Sequence, residues 1–223
     1  MDKRLCIAID GPASSGKGTV ARLVAKRLDY AYIDTGAMFR SVALVALEHA
    51  VAWTDEAGLE ILVGQMEFDF SWNGETLQVI VNGQDVTQAI RREEIGRGAS
   101  HVGTHPAVRR ALLERQRALS QAGGVVMDGR DIGTVVLPGA DVKVFLDADV
   151  DERASRRHLE LVSKGTAVTL DTVRADVIER DRQDRSRAVA PLIQADDAVY
   201  LNTTGLTPAE AADRIIEIAS ALT

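Results

Sequence analysis

The sequence predicts an α/β fold: a parallel five-stranded sheet with helices on both faces, an antiparallel three-stranded insert and a short lid. Three observations carry this. Apolar runs at Leu5–Ile9, Tyr30–Ile33, Val125–Met127, Val142–Leu146 and Val199–Leu201 alternate with helical patterns, as a doubly covered parallel sheet requires. The first run leads straight into the glycine-rich turn Gly11-Pro12-Ala13-Ser14-Ser15-Gly16-Lys17-Gly18-Thr19. Two Asn-Gly pairs, Asn73-Gly74 and Asn82-Gly83, interrupt the alternation with short segments of period two.

A buried strand, a glycine-rich turn and a helix N-terminus together form a phosphate cradle. Backbone N–H groups can wrap an anion there without interference from Cβ, and Lys17 adds a point charge that reaches the β- and γ-phosphates. An amphipathic helix follows, with Val20, Leu23, Val24 and Leu28 on one face. Gly18 stands where a hydroxyl commonly follows the lysine, and the hydroxyl comes one place later, at Thr19. That Gly-Lys-Gly-Thr ending resembles the nucleoside monophosphate kinases more than GTPases or motor ATPases.

The strand exits are Asp10-Gly11, Asp34-Thr35, Asp128-Gly129, Asp147-Ala148 and Asn202-Thr203, and all are polar. Ligands of open α/β sheets bind beyond these carboxyl ends. Between the second and third strands, Phe68, Phe70 and Trp72 share one strand face, then Leu77, Val79 and Val81 alternate, then Gln84–Val86 follow. This reads as a three-stranded meander inserted at about residues 66–87. A helix is expected from about Gln88 to His101, and another from Pro106 that Gly123-Gly124 closes. Asp149-Val150-Asp151-Glu152 reads as a capping box on a charged helix ending near Gly165. Thr169 opens a helix to about Arg187, and Pro208–Leu222 forms the last.

Composition narrows the function. A chain of 223 residues, 46% hydrophobic and 26% charged, suits one globular core with small excursions. The net charge of −7 argues against a general nucleic-acid binder. The lone Cys6 excludes an internal disulfide, fits a reducing compartment and reads as a buried, inert thiol in the first strand. The first strand begins too early to leave room for a signal peptide, and no apolar stretch reaches the roughly 18 residues of a membrane helix. A cytoplasmic protein is expected, and a monomer by default. The histidines lack metal-ligand spacing, and no catalytic triad is evident.

Arginines are the second strong signal. Arg153, Arg156 and Arg157 fall on one helix face, and Arg180, Asp184 and Arg187 on another. A short basic hairpin with little apolar surface suits a lid over polyphosphate. Taken alone, each of these arginines would more often belong to a solvated, salt-bridged helix; next to a phosphate loop the functional reading prevails. Arg40 and Arg130 lie just past strand ends, where a second phosphate would sit. Asp128 ends an apolar strand, as a Mg²⁺-organising carboxylate does.

From end to end the chain resembles the bacterial cytidylate kinases, built on the P-loop nucleoside monophosphate kinase fold. The matching blocks are Ile9-Asp10-Gly11-Pro12 through Thr19, Asp34 through Arg40, Ala99-Ser100, Pro106 through Arg109, Asp128 through Val136, and Glu179 through Leu192. The Asp-Gly-Arg-Asp and Arg-Ala-Val-Ala-Pro-Leu stretches are the specific ones. The resemblance implies ATP + (d)CMP ⇌ ADP + (d)CDP with Mg²⁺. It implies that Gly11 to Thr19 bind ATP (Gly11, Pro12, Ala13, Ser14, Ser15, Gly16, Lys17, Gly18, Thr19) and that Thr19 and Asp128 hold the metal, through water. Thr35, Arg109, Asp131 and Arg187 would face cytosine. Arg40 and Arg130 would hold the acceptor phosphate. Arg180, with Asp184 supported by Ser100, would touch the pentose. Lys17, Arg130, Arg153 and Arg157 would form the catalytic set, with Arg153 and Arg157 closing over the ATP phosphates. The core would be residues 1–34, 122–150 and 188–223, the monophosphate-binding part 35–121, and the lid with its flanking helix 151–187. Phe39 stands where Tyr is usual, which removes a phenolic donor.

Cytosine itself fits these residues. Its C4 amino group matches a carboxylate such as Asp131, and its N3 and O2 acceptors match arginines such as Arg109. The alternatives are another P-loop small-molecule kinase, with UMP, AMP or shikimate as acceptor, and a nucleotide-binding regulatory module. The second phosphate site and the lid arginines weigh against the latter.

Overall fold

In the computed structural model, residues 4–72 and 77–222 are described. The chain divides into two compact units, Met1–Tyr32 with Ala122–Thr223, and Ile33–Gln121.

The first unit is built on a sheet of order β2-β6-β1-β7-β8. Its strands are β1 (Cys6–Asp10), β2 (Ala31–Asp34, of which Ala31 and Tyr32 fall in this unit), β6 (Val125–Gly129), β7 (Val142–Asp147) and β8 (Val199–Asn202). β1 pairs in parallel with β6 on one side and β7 on the other, and β7 with β8. β1 is therefore the strand from which the chain order departs in both directions, and the crevice at its carboxyl end is where such sheets take ligands. β6 and β7 are buried along nearly their whole length, consistent with unbroken apolar runs rather than alternation. Helix α1 (Lys17–Leu28) buries Val20, Ala21, Val24 and Ala25 and packs on α8 (Pro208–Ser220). Arg27 pairs with Asp213 across that contact. The helices α6 (Val150–Ser163) and α7 (Leu170–Ser186) form a hairpin whose buried apolar residues are Ala154, Val173 and Val177. Gly165, at φ +80°, turns the chain between them.

The second unit holds α2 (Thr35–Glu48), α3 (Glu56–Gly64), the antiparallel sheet β3 (Phe68–Trp72), β4 (Leu77–Val81) and β5 (Gln84–Asp85), then α4 (Glu93–Val102) and α5 (Pro106–Ala118). Leu77, Val79 and Val81 are buried while Gln78 and Ile80 are not, which is the predicted alternation. Val79 and Val81 join one core with Met38, Leu44, Leu59, Ile90, Ile95 and Leu112, and Phe68 and Phe70 pack against it. The meander is thus part of this unit's core and not a surface ornament. Asn82 (φ +49°) and Gly83 (φ +79°) make the expected tight turn. The Asn73-Gly74 turn and the side chain of Trp72 lie outside the described residues.

Several expectations change. The segment after the meander is not one helix: a 3₁₀ turn at Ala89–Arg91 is followed by extended Arg92 (ψ 143°), and only then does α4 begin. Gly123 and Gly124 do not close α5, which ends at Ala118. Their positive φ values instead turn the chain into β6, against Arg4. Asp149 makes no side-chain cap on α6, and Glu152 bonds Arg156 instead. The capping box is found on α8, between Thr207 and Glu210. Arg187 is the residue after α7 rather than its last turn. Cys6 is half-buried, not buried.

Candidate active site

The phosphate loop joins β1 to α1. Gly11 is required by space: a Cβ there would strike the carbonyl oxygen of Leu146 in β7. Gly16 takes φ +88° to start α1, and its carbonyl accepts from Thr19 and Val20 (both 3.1 Å). The loop's carbonyls are engaged by donors. Lys17 Nζ donates to Pro12 (3.0 Å), Arg153 to Ala13 (3.0 Å), and Arg156 to Ser15 (3.4 Å). Tying carbonyls down in this way leaves N–H groups as the loop's anion-binding face. Burial pulls the Lys17 ammonium down to about 7, with Arg130 adding to the effect and Asp128 and Asp184 opposing it. Such a lysine needs an anion to hold its charge.

Gly18 has a steric explanation. A Cβ there would meet the Tyr32 hydroxyl at 3.3 Å and Asp128 Oδ2 at 3.7 Å. Tyr32 donates to Asp128 Oδ1 (2.8 Å), so a buried carboxylate is held beside the start of α1. Thr19 is exposed, and its hydroxyl accepts from Arg22 (3.5 Å).

At the exit of β6 the predicted residues come together. Arg130 Nε donates to Asp184 Oδ2 (2.6 Å), Asp184 lies 3.7 Å from Arg187, and Arg187 lies 3.9 Å from Asp131. Burial alone would raise the Asp184 carboxyl, but Arg130, with Arg187 and Lys17, outweighs it and holds the group below its usual range. Burial likewise works against the Arg130 charge, and Asp184, with Asp128 and Asp181, overcomes it, so Arg130 titrates above its ordinary value. Arg180 is close enough to help depress Lys17.

Of the lid arginines, Arg153 is only 3% exposed and is fully engaged: with Ala148 O (2.8 Å), Ala13 O and Asp181 (2.6 Å). Arg156, which the spacing did not single out from Arg157, is the one that lies against the loop, bonding Ser15 O and Thr203 O (2.9 Å). Arg157 pairs with Glu160 (2.8 Å).

The second unit carries its own polar cluster. Asp34 caps α2 through the Ala37 N–H (2.9 Å) and pairs with Arg40 (2.8 Å) and Arg91 (3.3 Å). Gly36 leaves room for this, since its Cβ would lie 3.3 Å from the Arg40 guanidinium. Two guanidinium groups share one carboxylate, and Arg40 Nε is buried with no hydrogen-bond partner. Two such cations on one carboxylate are an arrangement suited to an anion. Sequence reasoning missed Arg91, because the unbroken helix expected over this stretch concealed the turn that places it. Arg109 donates to Gly103 O (3.1 Å) and lies over the Phe39 ring (5.2 Å), while Ser100 bonds back to Gly96 O (3.5 Å). Thr35 is buried at the start of α2.

The cytidylate kinase family matches residues 7–221. The chain belongs to that family. A cytidylate kinase of Geobacillus sp. (strain WCH70) is 50% identical over 218 residues, covering 98% of this chain and 97% of the relative. One of Listeria monocytogenes serotype 4a (strain HCC23) is 48% identical over 219 residues, with the same coverage. Among solved structures, an uncharacterized protein from Eubacterium ventriosum ATCC 27560 matches with a TM-score of 0.52 at 12% identity, over 96% of this chain and 98% of that one. That likeness concerns the fold alone.

Membership of the cytidylate kinase family implies ATP-dependent phosphoryl transfer, typically with Mg²⁺. Among the described residues no three His, Cys, Asp or Glu side chains gather to hold a metal by themselves. Mg²⁺ needs no such cage, because it keeps several waters and leans on phosphate oxygens plus one or two carboxylates. Asp128, with one oxygen on Tyr32 and the other toward Gly18, and the Thr19 hydroxyl are hard oxygen donors that fit it.

Proposed function

We propose that the chain transfers the γ-phosphoryl group of ATP to CMP or dCMP, giving ADP and CDP or dCDP. The observation that carries this reading is the partly buried chain Arg130–Asp184–Arg187–Asp131, whose Arg130 and Asp184 act on the charge of the phosphate-loop Lys17. Membership of the cytidylate kinase family supports it.

ATP is assigned to Gly11, Pro12, Ala13, Ser14, Ser15, Gly16, Lys17, Gly18 and Thr19. Lys17 takes its full positive charge when the β- and γ-phosphates arrive. Thr19 and Asp128 hold Mg²⁺ through water, and the ion, when bound, neutralises charge on the phosphate oxygens. The acceptor phosphate is assigned to Arg40 and Arg130, joined by Arg91. Asp131 accepts from the C4 amino group of cytosine, and Arg109 and Arg187 donate to N3 and O2, with Thr35 beside them. Arg180 and Asp184, with Ser100, take the pentose. Arg130, Arg153 and Arg157 with Lys17 make up the catalytic set, and residues 151–187 the lid. Arg153 must exchange at least one of its present partners to reach phosphate. No covalent intermediate is required. The work is to hold two polyanions in line, neutralise their repulsion and keep water out.

Uracil presents a carbonyl where cytosine presents its amino group, and would set that carbonyl against Asp131. A site built on such hydrogen bonds rejects the wrong partner by several powers of ten. A coupled ADP-release assay across CMP, dCMP, UMP, AMP and shikimate tests the reading. Turnover confined to CMP and dCMP is expected, and UMP within a few-fold of CMP in kcat/KM would overturn the role of Asp131. We further propose a cytoplasmic monomer acting on small nucleotides. The single cysteine suits a reducing compartment, and the charge of −7 disfavours nucleic acid. Sedimentation velocity on the purified chain tests the oligomeric state.

A further inference from the structure

Asp10 ends β1, directly before the phosphate loop, yet nothing in the proposed transfer uses it. It is 5% exposed, and both carboxylate oxygens are engaged. Oδ1 accepts from the Ile132 N–H (2.8 Å) and Oδ2 from the Gly133 N–H (2.7 Å). These donors open the π-helical turn Ile132–Val136, where N–H groups have no partner within the turn. The residues just before them are Arg130 and Asp131.

The turn is pinned from its other side too. The Asp131 carbonyl accepts from Val135 (2.9 Å) and Val136 (3.1 Å). Gly133 packs closely: a Cβ there would lie 3.2 Å from Lys143 Cδ and 3.4 Å from Asp10 Oδ2. Lys143 is itself anchored by Asp197 (2.7 Å) and Pro138 O. Asp131 thus has its own carbonyl and the next two N–H groups committed, which aims its side chain. Burial raises the Asp10 carboxyl to about 6, the two N–H groups opposing, so at neutral pH the charged form accepts both bonds.

We propose that Asp10 is a positioning residue for base recognition, fixing the Arg130–Asp131 turn through the backbone N–H groups of Ile132 and Gly133. The proposal rests on the reading of Asp131 as the carboxylate that meets the cytosine amino group.

The test is Asp10→Asn, with steady-state kinetics on CMP, UMP and ATP. An amide offers one acceptor and sets its NH₂ against the other N–H. Leaving that buried donor unpaired should raise KM for CMP by about tenfold. The ratio of kcat/KM for CMP over UMP should fall by about tenfold as well, with KM for ATP within about twofold of wild type. An equal loss toward CMP and ATP at an unchanged CMP/UMP ratio would make Asp10 merely structural and overturn the proposal. Asp131→Asn run in parallel separates the two ideas. If it leaves the ratio intact, the reading of Asp131 fails and takes this one with it. If it collapses the ratio while Asp10→Asn does not, the Asp10 role alone fails. Should circular dichroism find Asp10→Asn unfolded, Asp10→Glu keeps the charge but moves both oxygens off the two N–H groups. It should show the same loss of discrimination, and an unchanged ratio there also overturns the proposal.

Discussion

At the scale of single residues, the site is governed by charges buried beside their opposites. Lys17 is the exception, a buried cation whose neighbouring carboxylates do not offset burial and Arg130. Its folded value of about 7 lies below the ordinary 10.5, so between those values the unfolded chain binds more protons than the folded one. This group's contribution to stability therefore rises as pH climbs from about 7 to about 10.5. ATP reverses the balance by supplying the missing anion. Titration calorimetry at pH 7, in buffers of different ionisation enthalpy, should register net proton uptake on ATP binding. No buffer dependence would mean that Lys17 is already fully charged in the free protein. Phe39 makes a second case. The absence of the phenol looked like a lost donor, but the ring serves as the face on which the Arg109 guanidinium rests. A cation over an aromatic face contributes about 0.5–1 kcal/mol at a partly exposed site, so Phe39→Leu should raise KM for CMP by about threefold. Phe39→Tyr keeps the face and should leave it near wild type. If the Leu variant matches wild type, the ring does not steer Arg109.

At the scale of elements, local chemistry decided where helices begin, and tertiary contacts decided which signals were used. Two segments carry capping-box patterns, at Asp149 and at Thr207, but only the second forms one. Thr207→Ala should cost about 1 kcal/mol, read as a lowered midpoint in urea. Asp149→Ala should stay within about 0.5 kcal/mol, since its side chain makes no cap. An equal loss in both would contradict the assignment of caps. The strands were legible in the sequence because both of their patterns, continuous apolar runs and period-two alternation, survive to the folded state. The break at Arg92 was not legible. No glycine or proline marks it, and only the placement of Ile90 and Ile95 in one core requires the chain to extend between them.

At the scale of the whole molecule, the elements differ in how deeply they are anchored. Helix α2 buries Ala37, Met38 and every residue from Ser41 through Ala46, while α7 buries only Val173 and Val177 among its apolar residues. Ionic bonds such as Arg153–Asp181 and Arg174–Asp151 hold the α6–α7 hairpin, and water competes for the exposed ones. Hydrogen exchange should therefore find the amides of α7 opening well before those of α2, and a non-hydrolysable ATP analogue should slow α7 selectively. Uniform exchange across the two helices would argue against a mobile lid.

By itself the sequence determined the sheet, the phosphate loop, the meander and the family, because each is written in contiguous residues whose spacing maps onto one local geometry. It also named Arg130, Asp131, Asp184 and Arg187 as site residues. Only the tertiary structure decided who partners whom. Asp10 reaches Gly133, Tyr32 reaches Asp128, Arg91 joins Arg40 on Asp34, and Arg156 rather than Arg157 lies against the loop. These pairings join residues that are mostly remote in the chain. Burial then sets their strength, since charge and hydrogen bonds count for more once water is excluded.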